Sequence, residues 1–456
     1  MPFSYLPHTD AERAEMLAAI GVSSMDDLYQ GVPDSLRAFS LDAIPPSKSE
    51  LEVTRLLTDL AGQNQSTNQF SSFLGAGAQR RFSPSAVDWI LHRSEFLTAY
   101  TPYQPEVSQG TLQVIYEFQT MIAQLTGMDL ANASMYDGST ATPEAAFMAM
   151  RVTKRNKVVV AGNVHPEYRE VLRSYAAGPG VQVVEAPVTD GLIDRAKLEA
   201  LMTDEVAGLI VQIPSFFGGI EEGRSLAELA HAAGALFIVV ADPTTLGVLE
   251  APGAYGADIV VGEAQAFGNS VSFGGPYVGY MACREKLARQ LPGRIVGQTV
   301  DAKGQRCFTL TLQTREQHIR REKATSNICT NQALNALAAT VYMEVMGKEG
   351  IYELGYVSLQ RAHALAAAIK ELPGFSLPMA GAFFNEFVVK SPLPVDELLT
   401  KLREHGILGG VALGTWYPEL KDCYLVAVNE LNTPADLDRY VATLKALTAS
   451  AAVGAR

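Results

Sequence analysis

Three groups of residues have the side-chain types and the positions in the sequence that could bind a cofactor. Gly138, Ser139 and Thr140 directly precede a helical pattern, and a helix N-terminus presents backbone N–H groups that suit a phosphate. His165 follows a strand pattern and could stack on a planar ring. Asp242 ends a buried apolar strand, at the carboxyl edge where open α/β sheets bind ligands, and could pair with a ring nitrogen.

Each of these groups also has a simpler explanation. The small residues could be an ordinary helix cap, and a lone histidine often makes only a local hydrogen bond. Asp242 could be a solvated strand end or could cap the turn at Thr244 and Thr245. The order along the chain is nevertheless that of a pyridoxal phosphate (PLP) pocket: a phosphate loop, a ring-stacking histidine and an acid for the pyridine nitrogen. This order carries more weight than any one of its members.

The next residue that a PLP enzyme needs is missing. In that class a lysine just after the following strand forms a Schiff base with the cofactor aldehyde. Here the buried strand Ile259–Gly262 is followed three residues later by Gln265, and there is no lysine between Lys197 and Lys286. An amide has no amine with which to form an imine, and Lys286 lies in a pattern typical of an exposed helix. The residues therefore predict a PLP-type pocket without its covalent anchor.

The apolar pattern predicts the fold that would position these groups. Short continuous runs of Val, Ile and Leu alternate with helical patterns, which indicates a mainly parallel sheet buried on both faces. We predict an α/β fold like that of PLP-dependent transferases (aspartate-aminotransferase class, fold type I), with a helical N-terminal arm over 1–65, a large α/β domain over 66–345 and a small α+β domain over 346–456. Strands of the large domain are predicted at Lys157–Ala161, Val181–Ala186, Gly208–Ile213, Leu236–Ala241 and Ile259–Gly262.

The composition excludes several classes of function. The net charge of −13 argues against a nucleic-acid or anionic-membrane surface, which would need clustered lysines and arginines. The four cysteines form no CxxC pair, so metal or redox use is not expected and a reducing compartment is. The N-terminus MPFSYLPHTD lacks the pattern of a secretory signal, and no apolar run reaches the roughly 20 residues that span a bilayer. We predict a cytoplasmic protein.

A second candidate region is the loop at 100–110, where prolines exclude regular structure. Its crowded polar and aromatic groups must either face water or line a site. The candidate residues in it are Tyr100, Thr101, Tyr103, Gln104, Glu106, Ser108 and Gln109. Arg80 and Arg81, beside a glycine turn, are further candidates for binding a carboxylate or a partner, although exposed surface arginines are the simpler expectation.

Five stretches carry a resemblance to a known family: TAYTPYQPEVSQGTLQ, MYDGSTATPEAAFMAMR, QIPSFFGGIE, GGPYVGYMA and REKATSNICTNQAL. From about Phe73 to Asn331 the chain resembles the P-protein family of the glycine cleavage system, and specifically the first chain of its two-chain bacterial form. In that family the second chain carries the Schiff-base lysine in a His-Lys-Thr-Phe motif. Aligned with this motif, the run from Ala264 to Phe267 puts Gln265 at the lysine position.

The resemblance implies a glycine decarboxylase built from two kinds of chain, expected in two copies each, with PLP bound covalently by the second chain. Such an enzyme decarboxylates glycine and passes the aminomethyl group to the lipoyl group of H-protein. The loop at 100–110 would then reach into the partner's site, unless it packs only on its own domain. The vestigial cofactor pocket of this chain would comprise Gly138, Ser139, Thr140, His165, Asp242 and Gln265. Two alternatives stay open: a self-sufficient PLP lyase or aminotransferase, against which Gln265 speaks, and a non-catalytic scaffold with a vestigial pocket.

Overall fold

The computed structural model describes residues 7–37, 42–329 and 331–454. The backbone divides into two units, Met1–Gln65 and Ser66–Arg456. Residues 1–6, most of the stretch that lacks a secretory pattern, lie outside the described residues.

The first unit contains, among its described residues, three short α-helices, two of which begin with a capping box. These are α1 (Asp10–Ile20), α2 (Asp34–Arg37) and α3 (Glu50–Gly62). Thr9 and Ser49 each begin a helix through a capping box, exchanging hydrogen bonds with a glutamate three residues later. The described residues of these helices include no buried side chain. Local capping, rather than packing within the unit, therefore fixes where α1 and α3 begin.

The second unit contains the remaining helices and the strands. Its helices are α4 (Ser85–Leu91), α5 (Ser94–Leu97), α6 (Gln109–Thr126), α7 (Gly138–Thr153), α8 (Pro166–Ala177), α9 (Arg195–Leu201), α10 (Gly223–Ala232), α11 (Gln317–Arg320), α12 (Ala333–Lys370), α13 (Val395–Glu404) and α14 (Pro434–Gly454). Its strands are β1 (Ser71–Ser72), β2 (Leu130–Ala131), β3 (Lys157–Ala161), β4 (Gln182–Ala186), β5 (Val188–Thr189), β6 (Leu192–Ile193), β7 (Val206–Gln212), β8 (Leu236–Val240), β9 (Ile259–Glu263), β10 (Gly279–Cys283), β11 (Ile295–Val300), β12 (Arg306–Thr311), β13 (Glu386–Lys390), β14 (Ile407–Leu408), β15 (Val411–Ala412) and β16 (Cys423–Ala427).

The main sheet of the described residues has seven strands in the order β2-β10-β9-β8-β7-β3-β4. The five strands from β9 to β4 are parallel, and β10 and β2 close one edge in the antiparallel sense. The central strands β7, β8 and β9 are buried along almost their whole length, as expected for strands covered by helices on both faces. The predicted α/β fold with a mainly parallel sheet is confirmed.

The C-terminal part packs a small antiparallel sheet, in the order β13-β16-β15, against helices. Its core includes Leu365, Phe387, Leu398, Tyr424 and Tyr440. The range of α12 joins two helices across a kink at Gly347, where φ is 62° and ψ is −173°, and the second of them enters this part. The predicted division at 345 falls beside this kink and stays a prediction.

Two features of the second unit depart from the sequence pattern. The sequence pattern predicts a long helix over Ala324–Met346, yet α12 begins only at Ala333. The antiparallel hairpin of β11 and β12 was not predicted at all. In the part of the chain that the structure describes, no helix has the length and apolar character needed to cross a membrane.

Candidate functional site

The carboxyl edge of the main sheet brings two of the predicted pocket residues, His165 and Asp242, to one cavity. A cavity of about 60 Å³ lies there. Among its lining residues are Arg81, His165, Tyr168, Asp242, Glu263 and Glu386. His165 follows β3, Asp242 follows β8 and Glu263 ends β9, so parallel strands place all three side chains at one edge. Across the described residues, no cluster of His, Cys, Asp and Glu is arranged to hold a metal ion.

The N-terminus of α7, predicted to bind a phosphate, already holds two carboxyl groups of this chain. Asp137 caps the helix, accepting hydrogen bonds from the Thr140 backbone N–H (2.8 Å) and the Ser139 hydroxyl (2.6 Å). The Gly138 N–H donates to Glu263 Oε2 over 3.0 Å. These small residues therefore form a helix cap, with Glu263 as an additional acceptor supplied by β9.

Glu263 connects three elements through backbone hydrogen bonds. Besides the bond from Gly138, its Oε1 accepts from the Gln265 and Val278 N–H groups, each over 3.0 Å. Burial raises the pKa of Glu263 to about 7, whereas the three N–H donors act in the opposite direction. The side chain ties the end of β9 to α7 and to the start of β10.

His165 is held by its own chain on both ring nitrogens. Its Nε2 lies 2.9 Å from the Ala76 carbonyl oxygen, and its Nδ1 accepts from the Glu167 N–H over 3.2 Å. This pattern fits the neutral ring with the proton on Nε2, and burial lowers the pKa of His165. The ring centroid lies 4.9 Å from that of Tyr168, with the planes tilted by 30°. The imidazole is thus already packed and hydrogen bonded within the chain.

Asp242 caps the turn that follows β8. Its Oδ1 accepts from the Thr244 N–H (2.9 Å) and from the Thr244 hydroxyl (2.8 Å). This is the simpler of the two explanations that the sequence left open. The carboxylate still lines the cavity, but its described hydrogen bonds are local.

The Arg81 side chain is buried, so the expectation of an exposed surface arginine is wrong for this residue. Its side chain is 2% exposed and its Nη1 lies 2.8 Å from Glu430 Oε2. It also donates to the hydroxyls of Ser358 (3.0 Å) and Thr244 (3.2 Å). Arg80, by contrast, is exposed and donates to the Thr67 carbonyl. The burial of Arg81 follows from partners that lie far along the chain.

Gln265 occupies the predicted lysine position as a structural residue. It is 1% exposed. Its Nε2 donates to the Asn269 carbonyl over 2.7 Å, and its Oε1 accepts from the Gln79 N–H over 3.2 Å. Both ends of the amide are therefore used to join the turn after β9 to residue 79.

The residues at this edge do not fit PLP. Ligand pockets usually have volumes of about 300–1,000 Å³, while this cavity has about 60 Å³. The phosphate position faces carboxyl groups, the histidine ring is engaged, and the amine that would bind the aldehyde is replaced by an amide. No chemical step through PLP follows from the side chains of this chain.

Sequence reasoning missed the side chains that fill the pocket, chiefly Glu263, Tyr168 and Glu386. Glu263 directly follows a buried strand at the carboxyl edge, which is the same pattern that singled out Asp242. Glu386 comes from β13, and its Oε1 accepts from the Ala76 N–H over 2.8 Å. No local pattern links residue 386 to residue 76, so this contact had no sequence signal.

We expect the Glu386 carboxyl to make stability depend on pH. Burial raises its pKa from 4.5 to about 7, with Asp242 adding to the rise and Arg81 opposing it. Because the folded chain binds this proton more tightly than the unfolded chain, the stabilisation is full below pH 4.5 and is lost as the pH rises through about 7. From pH 5 to pH 8 the loss is on the order of 2 kcal/mol, allowing for the surface that the carboxyl exposes to the cavity.

Urea denaturation of the wild-type chain and of Glu386→Gln at pH 5 and pH 8 measures this effect. The neutral amide does not titrate, so the free energy of unfolding of the variant should fall less between the two pH values. Equal losses in the two proteins would contradict the assignment to Glu386.

The loop at 100–110 is anchored to its own domain at two points. Gln109, which begins α6, accepts from the Phe308 N–H (2.8 Å) and donates to the Phe308 carbonyl (2.9 Å). The Tyr103 hydroxyl accepts from Arg294 Nη2 over 3.0 Å, and the guanidinium lies over the tyrosine ring. The anchors fix the loop at Tyr103 and Gln109.

The side chains between these anchors include several that face solvent. Gln104 and Glu106 are exposed, and Val107 is 80% exposed. Ser108 is half-buried at the start of α6 without a side-chain capping bond. Before the first anchor, Thr101 is half-buried and Tyr100 is exposed. Tyr103 and Gln109 therefore hold the loop in place, while Gln104 and Glu106 point away from the domain's core.

Comparison with known proteins identifies the family. The sequence matches the profile of the glycine cleavage system P-protein over residues 3–444. The chain belongs to the glycine cleavage system P-protein family. A relative from Anoxybacillus flavithermus, named probable glycine dehydrogenase (decarboxylating) subunit 1, is 52% identical over 440 residues, covering 96% of this chain and 98% of the relative. A protein of the same name from Moorella thermoacetica is 51% identical over 446 residues, covering 98% of this chain and all of the relative (100%).

Solved structures agree with this P-protein assignment. Glycine decarboxylase (P-protein) of the glycine cleavage system, in an inhibitor-bound form, has a TM-score of 0.88 and 43% identity, covering 97% of this chain and 99% of that one. A NifS-like protein has a TM-score of 0.64 at 13% identity, which supports the fold alone. The resemblance predicted from the sequence motifs is confirmed. The relatives' designation as subunit 1 implies a second subunit.

Proposed function

We propose that this chain is the lysine-free subunit of a glycine decarboxylase, working with a second subunit that binds PLP covalently. The observation that carries the proposal is Gln265, an amide with both ends hydrogen bonded within the chain, at the predicted lysine position of a chain that matches the P-protein family over residues 3–444. The amine that the reaction needs must then come from the other subunit.

In this proposal the assembly contains two copies of each chain and acts with lipoylated H-protein in the cytoplasm. PLP, held by the second subunit, supplies the electron sink for the loss of CO₂ from glycine. The four cysteines of this chain are unpaired, which supports a reducing compartment. The contribution of this chain is to complete the site and to support the partner.

The loop at 100–110 is the part of this chain that we assign to the partner's active site. Its anchors at Tyr103 and Gln109 fix its backbone without using the side chains of Gln104 and Glu106. A binding group works best when its supporting residues are already ordered. Gln104 and Glu106 meet that requirement, because they are exposed polar side chains between the anchored residues Tyr103 and Gln109.

Reconstitution with the second subunit tests the division of labour. Each chain alone and the mixture are incubated with PLP, reduced with borohydride and digested, and the labelled lysine is located by mass spectrometry. We expect the label on the second subunit only, and exchange of bicarbonate into glycine only in the mixture. Label on a lysine of this chain would overturn the proposal in favour of a self-sufficient PLP enzyme.

The same mixture separates a catalytically required subunit from a scaffold. If the second subunit alone catalysed the exchange as fast as the mixture, this chain would be a non-catalytic scaffold. A requirement for both chains in a fixed ratio supports the proposal.

A further inference from the structure

We infer that this chain excludes PLP actively, with the Glu263 side chain occupying the place of the cofactor's phosphate, so that a lysine at position 265 would not restore a cofactor site. The inference deepens the proposed function, and it rests on that proposal in treating the pocket as a former cofactor site. It predicts that the missing lysine is only one of several barriers to the cofactor.

The first barrier is at the N-terminus of α7. A phosphate bound there would accept hydrogen bonds from backbone N–H groups and face the positive end of the helix dipole. The Glu263 carboxyl already accepts the Gly138 N–H over 3.0 Å, and Asp137 accepts that of Thr140. Carboxyl oxygens accept hydrogen bonds from backbone N–H groups, as phosphate oxygens do. Glu263 and Asp137 therefore take up the donors that a phosphate at this helix N-terminus would need.

The second barrier is the lack of room around this helix end. A Cβ atom added at Gly138 would lie 2.3 Å from the Tyr168 hydroxyl oxygen and 3.1 Å from the Glu263 nitrogen. A single carbon atom already clashes with this hydroxyl, and the Glu263 carboxyl occupies the space beside the Gly138 N–H. A phosphate could enter only after Glu263 had moved away, which would leave three backbone N–H groups to find new partners.

The third barrier lies on the ring side of the pocket. The segment from Gly75 to Gly77 lies beside His165 and Glu386. The Ala76 N–H donates a hydrogen bond to Glu386, and the Ala76 carbonyl oxygen is hydrogen bonded to His165 Nε2. A Cβ atom at Gly75 would lie 1.9 Å from Glu386 Oε1. The cavity of about 60 Å³ that remains holds a few water molecules at most, at about 10–15 Å³ of accessible volume each.

The lysine position is the fourth barrier, because Gln265 is bonded at both ends. A lysine there would leave the Gln79 N–H without an acceptor and would place an ammonium group among side chains that have no space for the aldehyde. Replacing Gln265 alone therefore does not open the site.

Covalent trapping in the full-length chain tests the inference. Wild type, Gln265→Lys and the triple variant that adds Glu263→Ala and Glu386→Ala to Gln265→Lys are incubated with PLP, reduced with borohydride and digested. We expect the peptide containing position 265 to be labelled in the triple variant and at least about tenfold less in Gln265→Lys, as an amine can react only with an aldehyde held beside it. Equal labelling in the two variants would overturn the inference.

Inorganic phosphate supplies a test that needs no lysine. Phosphate is compared with chloride at equal ionic strength by thermal denaturation of wild type, Glu263→Ala and the shape-preserving Glu263→Gln. We expect a rise of about 2–4 °C in the melting temperature of Glu263→Ala only, because a vacated anion site binds phosphate in the folded state. No specific rise in Glu263→Ala, or the same rise in wild type, would contradict the assignment.

If Glu263→Ala did not fold, the Gln265→Lys variant alone would decide, since strong labelling of its position 265 refutes exclusion by the pocket. The results of these tests can be distinguished from a failure of the proposed function by the position of the labelled lysine. Labelling at position 265 in a variant leaves the partner's lysine as the Schiff-base residue of the wild-type reaction, whereas PLP on a native lysine of this chain would refute the proposed function itself.

Discussion

Replacing Arg81 with methionine is expected to lower the free energy of unfolding by roughly 3–5 kcal/mol, the usual cost of leaving one member of a buried ion pair alone. The guanidinium is 2% exposed, and its partner Glu430 is 14% exposed at a distance of 2.8 Å. Glu430 also accepts from the Phe82 N–H, so the carboxylate cannot readily turn to solvent. Urea denaturation of the full-length chain measures the loss.

Arg80→Met is the matched control, because it removes the same charge from an exposed position one residue earlier. Its effect should stay within about 0.5 kcal/mol. The double variant Arg81→Met with Glu430→Gln should be less destabilised than the sum of the two single changes, with a coupling energy of about 1–3 kcal/mol. Similar losses in Arg80→Met and Arg81→Met would mean that the ion pair contributes little.

Replacing Glu106 with alanine is expected to slow glycine–bicarbonate exchange by about 100-fold in the assembly with the second subunit, the scale of loss that follows when a group that positions the reacting parts is removed. The carboxylate is exposed, and the loop that carries it is anchored at Tyr103 and Gln109. The fold and the loop backbone should therefore survive the change. Exchange kinetics and size-exclusion chromatography with the second subunit provide the two measurements.

Glu228→Ala on α10 is a control that removes an equally exposed glutamate from a helix outside the loop. Its exchange rate and its assembly should match those of the wild type. Tyr103→Ala is less informative, since it also removes the acceptor and the ring that hold Arg294. If Glu106→Ala exchanged at the rate of the Glu228→Ala control, the loop would be a structural element of its own domain.

The fold could be predicted because its main elements are local patterns. Continuous apolar runs such as Val158–Val160 predict strands that are buried on both faces. Because these runs alternate with helical patterns, few sheet topologies are possible. The hairpin of β11 and β12 was missed, although its turn at Asp301–Gly304 separates two six-residue strands. Polar and apolar residues alternate along only part of these two strands, so the two-residue period typical of a strand was too weak to recognise.

The pocket was predicted in its outline but not in its content. The chain order of Gly138, His165 and Asp242 located the edge of the sheet, and Gln265 revealed the missing amine. Which side chains fill the space depends on contacts between residues more than a hundred positions apart, such as Gly138 with Glu263 and Ala76 with Glu386. No periodicity or spacing in the sequence encodes such contacts.

If Glu263 takes the place of a cofactor phosphate, as proposed above, the stability of this subunit does not depend on cofactor supply. A protein that binds a cofactor only when folded gains stability in proportion to the logarithm of the free cofactor concentration, and it loses that stability when the cofactor is scarce. In this chain the Gly138 N–H at the start of α7 donates to Glu263, a side chain of the same polypeptide, so no cofactor is needed as its acceptor. The folded amount of this subunit should thus be the same in cells starved of vitamin B6 as in well-supplied cells, leaving it ready to assemble when the loaded partner appears.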